Sequence, residues 1–168
     1  IRQIHPPSPD MVQPLWQLSA SAASRLMARG ELTSEAYVRA CLTRIEAREP
    51  AVGAWAAVDA DLALAQARAC DAAARRGPLH GIPFGVKDVI GTEGLPTRFN
   101  SPIYENAAPG ADAHCVAVLR AQGAVVLGKT TTLEFASGGR IPATRNPWDP
   151  DRTPGGSSSG SGAAVADG

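Results

Sequence analysis

The sequence has few aromatic residues, no excess of either charge and no long apolar run. Aromatic residues make up 5% of its 168 residues, and sixteen basic side chains balance sixteen acidic ones. Since no basic stripe or acidic tail is present, nothing predicts direct binding to nucleic acid or an anionic membrane. No apolar run approaches the roughly 20 residues that span a bilayer, and the proline-rich start is unlike a signal peptide. These absences predict a cytoplasmic globular protein whose partners are small molecules or other proteins.

Cysteine and histidine are also scarce. Three widely spaced cysteines are present, namely Cys41, Cys70 and Cys115. An odd, dispersed set argues against a disulfide framework or a CxxC metal site, so we interpret them as buried small apolar residues. The three histidines form no HxH or HxxxH pair. No metal site and no cofactor are predicted.

The first half of the chain reads as a helical lead-in. Residues 1–17 are rich in proline and lack periodicity, which predicts an extended arm. The spacing of Leu18, Ala22 and Leu26 predicts a short helix that stops at Gly30. A second helix is predicted from a cap at Thr33 or Ser34 to Pro50.

A predicted strand over 52–58 and an alanine-rich helix over 59–76 complete this part. From residue 79, short apolar segments alternate with a helical segment over 113–122. This alternation indicates an α/β core with strands buried on both faces.

The Gly-Ser run at 154–162, PGGSSSGSG, has two interpretations. Its composition alone is typical of a flexible linker. However, the apolar stretch AAVA follows directly, which favours tight turns within a core, where glycine permits a strained backbone near a ligand.

A lysine interrupts the apolar strand GIPFGVKDVI. Lys87 could be a strand-end lysine that extends its ammonium group to water. Alternatively its amine is desolvated, and because burial disfavours the charged form, such a lysine can act as a general base near neutral pH.

The segment GAVVLGKT at 123–130 matches the phosphate-binding pattern G-x-x-x-x-G-K-[ST]. That mechanism needs a strand before the first glycine and a helix after the threonine. Here a predicted helix precedes, and apolar β-branched residues fill the loop positions. We therefore interpret the segment as a buried strand and not as a nucleotide site.

Three segments in this order resemble the amidase signature family: PLHGIPFGVKDVIGTEGLPT, GAVVLGKTTTLEFA and NPWDPDRTPGGSSSGSGAAVA. The resemblance implies an α/β fold with a twisted mixed β-sheet flanked by helices. Residues 18–168 would then form the N-terminal part of a single domain, with a lead-in over 18–78 and the first part of the core over 79–168. A core incomplete at its C-terminus would expose strand edges, so aggregation or self-association into a homo-oligomer is expected.

The family uses a Ser-Ser-Lys triad, in which a lysine base acts through a bridging serine on a nucleophilic serine. By resemblance, Lys87 is the base and Ser157 the bridging serine, with a cis peptide bond between Gly156 and Ser157. Ser137 and Gly138 are implied substrate contacts through their backbone. The family's nucleophile and oxyanion hole lie about two dozen residues beyond the bridging serine, so the nucleophile would lie beyond Gly168. The 168 residues alone are therefore expected to be inactive.

The resemblance implies an amidohydrolase that cleaves a small carboxamide through a serine acyl-enzyme, without metal or cofactor. One alternative is the glutaminase subunit of a tRNA-dependent amidotransferase, which passes ammonia to a partner. Another is a truncated, non-catalytic scaffold.

Overall fold

The computed structural model describes residues 13–168. Most of the predicted arm lies outside this range, but Leu15–Gln17 form a 3-10 turn and are not extended. Helix α1 spans Ala20–Ala28 and α2 spans Ser34–Val52. Gly30 takes the predicted left-handed conformation, with φ of 72°. The predicted cap of α2 is confirmed because the Thr33 side chain accepts a hydrogen bond from the Ala36 amide.

Helix α2 does not stop at Pro50. It continues to Val52 and ends at Gly53, which is left-handed with φ of 61°. A proline in the last turn lacks the amide that would bond one turn back, and the remaining bonds suffice to finish the turn. Strand β1 is consequently short, spanning Trp55–Val58, and does not begin at residue 52.

Helix α3 spans Ala60–Ala72 and ends four residues before the predicted end. Asp59 caps it by accepting from the Leu62 amide. Beyond α3, the side chain of Arg75 donates to Ser24 Oγ at 2.6 Å, and Ser24 in turn donates to the carbonyl of Pro78 at 2.8 Å. These contacts hold the segment after α3 against α1.

Strand β2 spans Pro83–Lys87, helix α4 spans His114–Ala121, strand β3 spans Val125–Thr130 and helix α5 spans Ser159–Asp167. The strand order is β1-β3-β2, with β1 antiparallel and β2 parallel to β3. The sheet is therefore mixed, as predicted. Of the three strands in residues 13–168, β3 alone is buried along its whole length, whereas β2 is partly exposed, so the prediction of burial on both faces is correct for β3 and wrong for β2.

The two faces of β3 pack against different elements. Val125 and Leu127 join residues of α2 and α3 in one apolar cluster. Val126 joins Val86, Leu95 and Val116 in another. A register shift opposite Phe84 and Gly85 places Leu127 as an extra residue in β3. After this irregularity Lys129 pairs with Val86, so its side chain lies on the second face.

One smaller sequence interpretation was wrong. Cys70 is buried and Cys41 partly buried, but Cys115 is exposed and is not a core residue. The Gly-Ser run is not a linker, as the apolar stretch that follows it indicated, because its second half forms the start of α5. Within residues 13–168, no helix is long and apolar enough to cross a membrane.

Candidate active site

Lys87 and Ser157 meet although they lie 70 positions apart. The Nζ atom of Lys87 donates a hydrogen bond to Ser157 Oγ at 2.6 Å. Lys87 is the last residue of β2, and Ser157 precedes α5 by two residues. Both side chains are partly buried. The fold thus brings an amine and a hydroxyl within proton-transfer distance at the end of a parallel strand.

The backbone around Ser157 is tightly held. The peptide bond from Gly156 to Ser157 is cis, and Gly155 is left-handed with φ of 83°. The carbonyl of Ser157 accepts from the Leu133 amide at 3.1 Å. The side chain of Ser159 donates to the carbonyl of Gly155 at 2.8 Å and is itself buried, so it supports the turn.

Residues at the end of β3 attach α5 to the sheet. The hydroxyls of Thr130 and Ser161 lie 2.7 Å apart and share a hydrogen bond. The amide of Gly160 donates to the carbonyl of Thr131 at 3.0 Å, and the amide of Thr131 donates to Ala54 at 2.9 Å. Sequence reasoning missed this attachment. The sequence features that pointed to this attachment are the run of three threonines after Lys129 and the glycine at the start of helix α5.

Gly160 is required by close approach of the backbone. A Cβ atom there would lie 2.5 Å from Thr131 Oγ1 and closer still to the Ala54 carbonyl and the Thr131 amide. Gly162, two residues later in the same helix, would place its Cβ 3.8 Å from the Pro154 carbonyl, an ordinary contact. Thus only one of these two helical glycines is demanded by packing.

Ser137 and Gly138 lie in a loop that begins beside Ser157. Both amides donate to the carbonyl of Glu134, at 3.2 and 3.4 Å. Arg140 closes the loop, since its amide donates to the Glu134 carboxylate at 3.1 Å. Among the described residues, no hydrogen bond joins Ser137 or Gly138 to Lys87 or Ser157. Their role in substrate binding stays a prediction.

The loops that follow β2 and β3 contact each other through strained residues. Phe99, Asn100, Phe135 and Ala136 all have φ between 50° and 59°. This region is costly for residues with a Cβ and persists only where surrounding contacts enforce it. The Phe135 amide donates to the Phe99 carbonyl at 3.0 Å, and their rings stack with centroids 5.8 Å apart. Tyr104 packs edge-on against Phe135.

Lys129, the lysine of the GAVVLGKT segment, is fully buried and lies in strand β3 instead of in a phosphate-binding loop. Lys129 lies 3.3 Å from the Asp88 carboxylate, and the two side chains are 0% and 3% exposed. Burial lowers the pKa of Lys129 and raises the pKa of Asp88, while the opposite charge of each partner works against this shift. Gly128, Lys129 and Thr130 are strand residues paired with both neighbours, which confirms the interpretation as a buried strand.

Metal ligands are not clustered in residues 13–168, where no group of three or more His, Cys, Asp or Glu side chains could hold an ion. What the site does contain is a lysine, a serine hydroxyl and a backbone rich in small residues. This set fits nucleophilic and acid–base chemistry by hydroxyl groups.

Comparison with known proteins assigns the chain to a family. The sequence model of the amidase family matches residues 36–168. The A subunit of the glutamyl-tRNA(Gln) amidotransferase of Roseiflexus castenholzii is 52% identical over 163 residues, covering 92% of this chain and 33% of that protein. The native peptide amidase of Stenotrophomonas maltophilia is 37% identical with a TM-score of 0.83, over 90% of this chain and 34% of that one. The 6-aminohexanoate cyclic dimer hydrolase is 33% identical, with a TM-score of 0.79 over 91% of this chain and 32% of that one.

The chain belongs to the amidase family, with the α/β fold of the amidase-signature type. It spans about a third of the length of the curated relatives that it matches. Their similarity covers the N-terminal portion of the fold, in which Lys87 and Ser157 lie.

Proposed function

We propose that this chain supplies the base and the bridging serine of a serine amidase. The observation that carries the proposal is the 2.6 Å contact between Lys87 Nζ and Ser157 Oγ. In the proposed reaction, the neutral amine of Lys87 accepts a proton from Ser157, which takes one from a nucleophilic serine beyond Gly168. The activated nucleophile attacks the carbonyl carbon of a small carboxamide, and the C–N bond breaks as Lys87 returns the proton through Ser157 to the leaving nitrogen, which departs as ammonia. Water then hydrolyses the acyl-enzyme, which releases the carboxylic acid and restores the serine hydroxyl.

The pairing makes chemical sense because a serine hydroxyl is a weak nucleophile at neutral pH. It needs a base within about 2.6–3.2 Å, held in orientation by further contacts. The hydrogen bonds of Ser157 to Leu133 and of Ser159 to Gly155 supply that orientation. Such a site needs no metal ion or organic cofactor.

A chimeric enzyme tests the proposal. Residues 1–168 are joined to the remaining two-thirds of the Roseiflexus castenholzii protein, and release of ammonia from small carboxamides is measured. Lys87→Met and Ser157→Ala should each lower kcat by about 10²-fold or more, the usual contribution of acid–base catalysis. Ser158→Ala is the matched control, because the Ser158 side chain does not cap α5. Full activity of the Lys87→Met chimera would contradict the assignment.

A second candidate is the glutaminase component of an amidotransferase that acts with partner subunits. It is favoured by the 52% identity to one component of a glutamyl-tRNA(Gln) amidotransferase. Glutamine would then be hydrolysed in preference to other carboxamides, and more rapidly when the partner subunits are added. Equal rates on unrelated carboxamides, unchanged by partners, would favour the amidohydrolase. A chimera that hydrolyses none of them would favour the non-catalytic scaffold.

A further inference from the structure

The sequence holds only two lysines, Lys87 and Lys129, beside 14 arginines. The two lysines lie on neighbouring parallel strands, where Val86 pairs with Lys129 and Lys87 pairs with Thr130. Because consecutive strand residues point to opposite faces, the two amines lie on opposite faces of the sheet. Lys87 faces Ser157, and Lys129 faces the loop that follows β2.

The ammonium group of Lys129 contacts residues at both ends of that loop. It lies 3.3 Å from the Asp88 carboxylate, and it donates to the Ile90 carbonyl at 2.8 Å and to Thr97 Oγ1 at 2.6 Å. A longer contact of 3.5 Å reaches the carbonyl of Pro96. An ammonium has three protons on one compact centre, which suits three converging acceptors, whereas a planar guanidinium does not.

The same loop fixes the backbone on which Lys87 stands. The carbonyl of Lys87 accepts from the amides of Val89 and Ile90, at 2.8 and 3.0 Å. Asp88 extends the strand pairing by donating its amide to Thr130 at 2.9 Å. Its carboxylate also accepts from the Arg98 amide at 3.2 Å. The turn immediately after Lys87 is therefore held from both strands and from the far end of the loop.

A buried ion pair is weak support for stability. Taking two charges out of water is costly, and replacing such a pair with apolar residues is often neutral or favourable. Asp88 and Lys129 are 3% and 0% exposed, so both charges of this pair are removed from contact with water. The role of this ion pair is better explained by the geometry that it imposes on the backbone next to Lys87.

We propose that Asp88 and Lys129 are positioning residues, which set the place of Lys87 by holding the turn that follows it. This inference rests on the proposed role of Lys87. Neither residue touches the reacting atoms. Their ion pair acts through the backbone of residues 87–90, so that the amine of Lys87 stays within hydrogen-bond distance of Ser157.

The presence of only two lysines makes Lys87 directly measurable. The chimeric enzyme is exposed to a short pulse of an acetylating reagent at pH 8, and modification of each of the two lysines within residues 1–168 is read by peptide mass. The variants are Asp88→Asn, Lys129→Met and the double variant. Asp167→Asn is the control, because it removes a partly buried ion pair with Arg44 and Arg48 that involves no residue of the turn. Urea unfolding of each variant is followed in parallel.

We expect Lys87 to be acetylated about tenfold faster in both single variants and in the double variant, as for loss of one hydrogen bond, and at the wild-type rate in Asp167→Asn. The double variant should recover stability without recovering the slow acetylation of Lys87. In the chimeric enzyme, the double substitution should lower kcat about 10²-fold and leave KM unchanged, because it misplaces a catalytic group.

The inference is overturned if the double variant regains both stability and wild-type behaviour of Lys87, since the pair would then be structural only. It is also overturned if Asp167→Asn accelerates acetylation equally, because general loosening would then explain the effect. Failure of the proposed function is a separate result: the Lys87→Met chimera would remain active, whatever the Asp88 and Lys129 variants do.

Discussion

Gly160→Ala is expected to disturb the candidate site from a position that carries no chemistry. The new Cβ would lie 2.5 Å from Thr131 Oγ1 and closer to two backbone atoms. Since ordinary contacts begin near 3.4 Å, the first turn of α5 must move by roughly 1 Å. Overpacking of this kind costs about 1–3 kcal/mol of unfolding free energy. Ser157 lies three residues upstream and should move away from Lys87, so activity of the chimeric enzyme should fall about 10²-fold.

Gly162→Ala separates the clash from the change in helix propensity. Replacing glycine by alanine inside a helix favours folding by roughly 0.5–1 kcal/mol, and at Gly162 the added Cβ meets only an ordinary contact. The two substitutions should therefore shift the urea midpoint in opposite directions, down for Gly160→Ala and up for Gly162→Ala. Equal shifts, or an active and stable Gly160→Ala chimera, would refute the close approach of α5 to Thr131 and Ala54.

Three further predictions concern pH, charge geometry and completeness of the site. Burial raises the pKa of the Cys41 thiol to about 11 from 9.0, so its contribution to stability is full below pH 9 and is lost as the pH rises through 11. The loss of stability between pH 7 and pH 10.5, measured by urea unfolding, should be smaller in Cys41→Ala than in the wild type by at most about 2 kcal/mol, and an equal loss in the two proteins would contradict this. Lys129→Arg should lower the melting temperature despite equal charge, because three converging acceptors fit an ammonium, and a wild-type melting curve would argue against that fit. The 168-residue chain alone should form no covalent adduct with a fluorophosphonate probe, and a mass increase on any serine would contradict the prediction that it is inactive.

Local signals in the sequence predicted most of the helices and strands. The cap at Thr33 and the left-handed Gly30 are short-range features, so they can be read without knowing the fold. The end of α2 was misjudged because a proline in a last turn is tolerated when the chain can still close on a following glycine, here Gly53.

The juxtaposition of Lys87 with Ser157 was predicted from the family resemblance and not from periodicity. A contact between residues 70 positions apart depends on how strands pair, which local propensity does not specify. The same limit hid the ion pair of Asp88 with Lys129. Sequence reasoning considered Lys87 as the desolvated lysine, but full burial falls on Lys129, because a register irregularity in β3 turns its side chain toward the loop after β2.

The Gly-Ser run and the threonines after Lys129 bond to each other and together attach helix α5 to strand β3. Taken separately, the first resembles a linker and the second completes a false phosphate-binding pattern. In the fold, Thr130 bonds to Ser161, Thr131 bonds to Gly160, and Leu133 bonds to the carbonyl of Ser157. These three contacts from residues 130–133 fix the position of the Gly-Ser run along strand β3. Strand β3 also carries Lys129, which holds the turn after Lys87. A single strand therefore sets the positions of both Lys87 and Ser157, one from each of its two faces.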